Sequence, residues 1–209
     1  MLRLFRLIFT TDQEWERMAA RPPHPVAVFL LSLLPLLAAA LAVEAWGLMR
    51  FGEAHGELGQ IRLPAERVIK YVIFYGAGSF LMILAGAGLL RNVAPSFNLQ
   101  CTFGACFTLI GYGYAPILLT RALDALPQVN TWVCWGIGAM LALRVLYHGV
   151  AHWLKPEQTK GLGVFVVSVI GVVVMSGLVH FASVQVLYGK FLKGVHPDAA
   201  PGSLFETNR

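Results

Sequence analysis

Five long apolar blocks, separated by short polar stretches, dominate the pattern of hydrophobic and polar positions along the chain. A helix rises about 1.5 Å per residue and the hydrocarbon core of a bilayer is about 30 Å thick, so about 20 apolar residues make one crossing. The blocks that reach this length cover residues 26–48, 68–90, 103–123, 131–153 and 161–187. None of them alternates as a strand does. The pattern therefore predicts an all-α, polytopic membrane bundle of five transmembrane helices.

A polar segment, FTTDQEWERMAARPPHP, stands directly before the first apolar block. Thr11 and Glu14 have capping-box spacing, which favours a helix start, and Arg17 complements the helix dipole near the other end. Trp15 shares one side of this helix with apolar neighbours, as in helices that lie at the headgroup level. We predict a short interfacial amphipathic helix whose candidate interaction residues are Thr11, Glu14, Trp15 and Arg17.

These patterns divide the chain into three parts. Residues 1–24 form an N-terminal interfacial or cytoplasmic segment, and residues 25–188 form the five-helix transmembrane domain. Residues 189–209 are rich in Pro, Gly and polar residues, which predicts a flexible tail.

Composition supports a membrane protein and argues against a nucleic-acid-binding one. The chain is 57% hydrophobic and 13% charged, whereas soluble domains carry about 25% charged residues. The net charge of +5 is spread through short loops, so it favours anionic lipid headgroups rather than nucleic acid. Cys101, Cys106 and Cys134 form no CxxC pair, and we expect all three to be reduced and packed as small apolar residues.

Two segments carry a resemblance to a known family. LIFTTDQEWERMAARPPHP is similar to the N-terminal signature of the bacterial branch of the Ypt-interacting-protein (YIP) family, and LIGYGYAPILLTRALDALP is similar to its Gly-Tyr, aromatic, Pro run ending in Leu-Pro. The five apolar blocks agree with the family's five spans. The resemblance makes Gly111, Tyr112, Tyr114, Pro116 and Pro127 the family-motif residues of the third span.

The resemblance also implies a location and a class of partner. It implies a bacterial inner-membrane protein with a cytoplasmic N-terminus and a C-terminus on the opposite side. Eukaryotic members bind Rab-type GTPases in vesicle traffic, but only about 24 residues precede the first span here, which argues against GTPase binding. A count of Lys and Arg in the loops gives seven on the inner side and eight on the outer side, so charge alone does not set the orientation.

A polar face on the fourth span is the sharpest candidate for chemistry. Arg144 and His148 lie four residues apart, and a charged side chain inside a bilayer has to face protein or water. Glu44 is the only carboxylate inside a predicted span, although it lies about 10 Å from Arg144 along the membrane normal. We therefore consider a polar cavity formed by Glu44, Arg144 and His148, with the hydroxyls of Tyr112 and Tyr114 as alternative partners for the arginine.

The same face raises the question of a metal. His148 and His152 are four residues apart and could reach one ion, with His180 as a third ligand. Gly149, however, stands where an H-E-x-x-H protease has its glutamate, and we expect no metal. The sequence contains no G-x-S-x-G elbow, P-loop or dinucleotide fingerprint, so we expect no catalytic residue, no cofactor and no enzyme activity.

Two hypotheses of function follow. The preferred one is a non-enzymatic membrane protein that acts through contacts with membrane lipids, other membrane proteins or a second copy of itself. The alternative is a small transporter or channel component that uses an intramembrane polar cavity around Arg144.

Overall fold

The computed structural model is a bundle of five long helices with one short helix packed against it. It describes residues 6–7, 11–51, 53–54, 60–61, 64–125, 129–157 and 159–187. The short helix is α1, Thr11–Ala20. The long helices are α2 (Pro25–Phe51), α3 (Ala65–Phe97), α4 (Phe103–Arg121), α5 (Thr131–Leu154) and α6 (Gly161–Leu187), and each is long and apolar enough to cross a membrane. The predicted all-α fold with five spans is confirmed.

Local sequence signals explain where several helices begin and end. Thr102 caps α4 by accepting a hydrogen bond from the backbone N–H of Ala105 at 3.2 Å, and Asn130 caps α5 by accepting one from Trp132 at 2.8 Å. Asn98 and Lys155 follow α3 and α5 in the left-handed backbone conformation, which terminates a helix. Between α2 and α3, β1 (Glu53–Ala54) pairs antiparallel with β2 (Gln60–Ile61).

Three of the long helices contain a single π-helical turn. The turns cover Phe29–Leu33 in α2, Val150–Leu154 in α5 and Ile170–Val174 in α6. The first turn stands just before Pro35, whose missing N–H disturbs regular helical hydrogen bonding. The second turn carries His152, which bears on the site described below.

Helix α4 is the centre of the bundle. Every residue from Cys106 to Leu118 is buried, so neighbouring helices surround α4 on all sides. Its glycines allow this close packing, since a Cβ atom on Gly111 would stand 2.5 Å from Cδ1 of Leu33 on α2. Small residues are how transmembrane helices approach one another when lipid is as apolar as their side chains.

The cysteines differ from the expectation of three reduced residues. Cys101 and Cys106 are paired as a disulfide at the start of α4, with Cα atoms 6.7 Å apart. Cys134, on α5, is fully buried as expected. The predicted C-terminal tail, residues 189–209, lies outside the described residues, and its flexibility stays a prediction.

Gly47 marks a close contact of α2 with backbone, and we predict that Gly47→Ala destabilises the bundle. Its Cβ would stand 2.5 Å from Cα and 2.7 Å from the carbonyl oxygen of Ala125, and backbone cannot move aside as a side chain can. Overpacking of this kind costs about 1–3 kcal/mol. Thermal unfolding of the purified protein in detergent measures the effect.

Gly88→Ala is the matched control for this prediction. Nothing lies within 4 Å of a Cβ placed on Gly88, which is also inside a span. Since alanine favours a helix interior by about 0.5–1 kcal/mol over glycine, this variant should be at least as stable as the wild type. Equal melting temperatures for the two variants would contradict the packing described for α2.

Candidate functional site

A buried ion pair joins the first and third spans. Glu44 of α2 and Arg121, the last residue of α4, are both only 3% exposed. The guanidinium donates from Nε to Oε2 at 2.8 Å and from Nη2 to Oε1 at 2.9 Å, so the contact is bidentate. Charge-assisted bidentate pairs are among the strongest hydrogen-bonded contacts in proteins. A pair so far from water is stable only when its remaining polar atoms are also satisfied.

Two further spans supply those partners. The hydroxyl of Tyr71, on α3, donates to Glu44 and accepts from Nη2 of Arg121. Nη1 of Arg121 donates to Nδ1 of His180, on α6, at 2.8 Å. Because a guanidinium only donates, Nδ1 of His180 accepts, and this arrangement has the ring hydrogen on Nε2. Nε2 in turn lies 3.5 Å from Oγ1 of Thr131, at the start of α5.

A chain of hydroxyls extends the network toward the middle of the bundle. The guanidinium carbon of Arg121 stands 3.7 Å from the centre of the Tyr75 ring, a cation–π contact. The Tyr75 hydroxyl is 2.7 Å from that of Tyr114, which is 2.9 Å from Oγ of Ser79. We call this set the Arg121 cluster. Its members are Glu44, Tyr71, Tyr75, Ser79, Tyr114, Arg121 and His180.

Helix α1 is docked into the bundle by its tryptophan. The Trp15 side chain is fully buried and packs edge-on to Tyr112 with ring centroids 6.1 Å apart, and beside Trp153 at 6.2 Å. Gly149 leaves the space, since a Cβ there would stand 2.8 Å from Cζ2 of Trp15. The Trp15 side chain therefore contacts protein rather than lipid, and the predicted position of α1 at the headgroup level stays a prediction.

Glu14 stands in the first turn of α1 and Arg17 in its last turn, as the helix dipole favours. Glu14 is 5% exposed and binds Arg17 at 2.7 Å, with Arg6 at 3.7 Å. Its carboxylate thus neutralises basic side chains at the end of the bundle where α1 lies. The predicted capping box needs the side chain of Thr11, which is outside the part of the structure that is described. The capping box therefore stays a prediction.

Two histidines at the end of α5 face the acidic side of α1. Oδ1 of Asp12 lies 2.5 Å from Nδ1 of His148 and 3.1 Å from Nε2 of His152. Oε1 of Glu16 lies 3.5 Å from the other ring nitrogen of His152. The two imidazoles stack with an interplanar angle of 12° and centroids 6.4 Å apart. We call this set the Asp12 cluster: Asp12, Glu16, His148 and His152.

The structure does not bring Glu44, Arg144 and His148 together in the part of the chain that it describes. Arg144 is exposed on the outside of the bundle, while Glu44 binds Arg121 and His148 binds Asp12. The reason is the rotation of α5 about its axis, which turns small and apolar residues such as Ala142 and Val145 inward. His180, considered as a third metal ligand, lies in the Arg121 cluster instead.

The family-motif residues of the third span are placed as follows. Gly111, Tyr112, Tyr114 and Pro116 are all buried in α4, and the carbonyl of Pro116 accepts a hydrogen bond from Thr120 at 3.2 Å. Tyr112 meets Trp15, and Tyr114 belongs to the Arg121 cluster. Pro127 lies outside the described residues.

Sequence reasoning missed Arg121, Asp12 and Glu16. Arg121 lies within the predicted third span, residues 103–123, but the charge count assigned it to the outer side, and it was not considered as a partner of Glu44. The signal that could have identified Arg121 as the partner of Glu44 is the depth of the two residues along the membrane normal. Glu44 lies seven residues before the end of α2, and Arg121 ends α4 on the same side of the bundle. No local pattern indicated that α1 would reach the histidines of α5.

Five apolar helices around a buried ion pair define a multi-pass membrane protein. The family model of the Yip1 domain matches residues 5–181, which include α1 and all but the end of α6. The chain belongs to the Yip1 family. No curated protein and no solved structure matches it.

Proposed function

We propose that this Yip1-family protein is not an enzyme and acts through contacts of its outer surface with lipids and other membrane proteins, including copies of itself. The observation that carries the proposal is the Arg121 cluster, in which the buried polar groups bind one another. Arg121 directs its guanidinium to Glu44, Tyr71 and His180, all on other helices. Polar groups occupied in this way hold helices together and are not offered to a substrate.

The surface left for function is apolar and extensive. Leu31, Ile73, Leu81, Met140 and Leu178 are each more than 60% exposed, and they come from four different spans. In a bilayer these side chains meet lipid tails or the spans of another protein. The membrane-embedded surface is therefore the part of the molecule that partners can reach.

A basic margin at one end of the bundle supports lipid contact. Arg21, Arg91 and Lys155 are exposed at the end of the bundle where α1 lies. Each basic residue near an anionic membrane surface contributes about 1 kcal/mol of attraction. We propose that this end faces the cytoplasm of a bacterial cell, where the N-terminus is placed by the family resemblance. Arg121 is buried, and when it is left out of the count of Lys and Arg on the outer side, seven basic residues remain on each side. Charge therefore still does not decide the orientation.

A transporter or channel component remains the second candidate, with a different location from the one first considered. Arg144 lies on the outside, so a pathway would have to use the Arg121 cluster. The observation in its favour is the continuous row of Ser79, Tyr114 and Tyr75, which leads to Arg121. Opening such a path requires breaking the contact of Arg121 with Glu44.

Photo-crosslinking in native membranes tests the preferred function. A benzophenone amino acid at Met140, which is 70% exposed, should capture the same protein partner, or a second copy of the chain, in repeated preparations. The matched control is Ala142, two residues away and fully buried, which should give only links within the chain. Lipid adducts alone at Met140 and at Leu81 would contradict a role through protein contacts. Solute flux into liposomes that Arg121→Met abolishes would favour the transporter instead.

A further inference from the structure

We propose that Asp12, His148 and His152 form a binding site for Zn²⁺ that fastens α1 to the end of α5, with Glu16 supporting His152. The spacing of the two histidines alone had led us to expect no metal, because Gly149 stands where a local acid was needed. The fold supplies the acid from another helix. This site is independent of the proposed function, and it would place a metal ion where α1 contacts α5.

The donor atoms already converge. One atom from each of Asp12, His148 and His152 lies within 4.8 Å of the other two. Ligands of a tetrahedral zinc ion, at bond lengths of about 2.0–2.2 Å, stand about 3.4 Å apart. The separations of 2.5 Å and 3.1 Å from Oδ1 of Asp12 to the two imidazole nitrogens are shorter than that value. The side chains would have to move apart by about an ångström to admit the ion.

The backbone holds these donors in place. His148 and His152 are four residues apart, so they project from the same side of α5. Asp12 lies on the first turn of α1, one turn before the buried Trp15, and the packing of Trp15 against Gly149 sets the distance between the two helices. A site built on packed helices is preorganised, which favours metal binding.

Glu16 supplies the outer support that metal-bound histidines usually have. A histidine that binds a metal through one nitrogen commonly donates from the other to a carboxylate, which orients the ring. Nε2 of His152 faces Asp12, and Nδ1 of His152 lies 3.5 Å from Oε1 of Glu16. The two carboxylates are four residues apart on α1, so they approach the same imidazole from its two nitrogens.

The number, type and exposure of the ligands favour zinc. Two imidazoles and one carboxylate leave a fourth tetrahedral position for water, and this mixture suits Zn²⁺ better than Mg²⁺, which prefers oxygen ligands. The side chains of His148, His152 and Asp12 are 27%, 32% and 56% exposed, so an ion can enter from water.

A direct titration tests the site. The tag-free full chain, in detergent and freed of metal by a chelator, is titrated with Zn²⁺ against a chromophoric zinc indicator. We expect one tightly bound ion per chain, and no comparable binding of Mg²⁺. Asp12→Asn and the double variant His148→Ala, His152→Ala should lose this ion, and Glu16→Gln should bind it about 10–100-fold more weakly.

Controls separate loss of the site from loss of the fold. His24→Ala removes an exposed histidine from the segment between α1 and α2 and should keep the full stoichiometry. Zn²⁺ should raise the melting temperature of the wild type, because it binds the folded state, and leave that of Asp12→Asn unchanged. Asp12 is exposed, so the metal-free melting temperatures of these two proteins should be similar.

Two results would overturn the proposal. One is the absence of saturable zinc binding by the wild type. The other is unchanged binding by the folded Asp12→Asn protein, which would place the ion elsewhere.

Discussion

Glu44→Gln should destabilise the bundle by about 3–5 kcal/mol, because it leaves the charge of Arg121 buried without its counter-charge. Glutamine has nearly the same shape as glutamate, so packing is preserved and the change reports on charge. Arg121 is 3% exposed, so its guanidinium is shielded from water. Unfolding of the purified protein in mixed micelles measures the loss, with circular dichroism as the signal for helix content.

A double variant and an exposed arginine provide the controls. In Glu44→Leu, Arg121→Met both charges are replaced by apolar groups, which is often neutral or stabilising for a buried pair, so most of the stability should return. Arg144→Leu removes a charge from the outer surface of a span, where arginine costs about 2.5–3.5 kcal/mol on insertion scales, so this variant should be no less stable than the wild type. If Glu44→Gln were as stable as the wild type while Arg144→Leu were not, the assignment of the buried partner would be wrong.

Trp15→Ala should cost about 3–5 kcal/mol, the usual range for truncating a buried aromatic side chain. The cavity would open between α1 and Gly149, where the indole now packs. We expect α1 to detach while the five spans persist. Trypsin should then cleave rapidly after Arg17, which Met18 follows, and the fraction cut per minute measures the detachment.

Trp15→Phe is the matched control. Nε1 of Trp15 has no hydrogen-bond partner among the described residues, so replacing indole with phenyl loses packing area but no hydrogen bond. The phenylalanine variant should keep α1 docked and resist trypsin much as the wild type does. Rapid cleavage of the wild type itself, or equal protection of Trp15→Ala, would contradict the docked position of α1.

Spans were predictable because they depend on length and composition alone. The third and fourth spans begin at the predicted residues, Phe103 and Thr131. The fifth span begins and ends where it was predicted to. The second span is longer than predicted, since α3 begins at Ala65 and its last turn reaches Phe97. Six of these ten added residues are polar or turn-forming, and a hydropathy argument stops before them: Glu66, Arg67, Arg91, Asn92, Pro95 and Ser96.

The partners of individual side chains were not predictable, because hydropathy does not report how a helix is rotated about its axis. Arg144 and Arg121 both lie within apolar helices, yet α5 turns Arg144 outward and α4 buries Arg121. Glu44 was identified as the acid inside a span, but its partner depends on which helices are neighbours. Trp15 was recognised as an anchor, and only the packed structure shows that Gly149 receives it.

The two clusters give the bundle different kinds of junction. The Arg121 cluster is closed and joins spans near the end where α2 and α4 finish. The Asp12 cluster lies at the other end, is partly exposed, and joins α1 to α5. The free energy of unfolding should therefore depend mainly on the Arg121 cluster. The Asp12 cluster is within reach of solvent, so dissolved ions can act on it.

Five crossings of the membrane are the claim on which the rest depends, and the location of the two ends of the chain tests it most directly. Reporters fused before residue 1 and after residue 209, one active only in the cytoplasm and the other only outside it, are read in intact cells. Five spans predict that the two ends report from opposite sides of the membrane. Two ends on the same side would require an even number of crossings and would contradict the bundle described here.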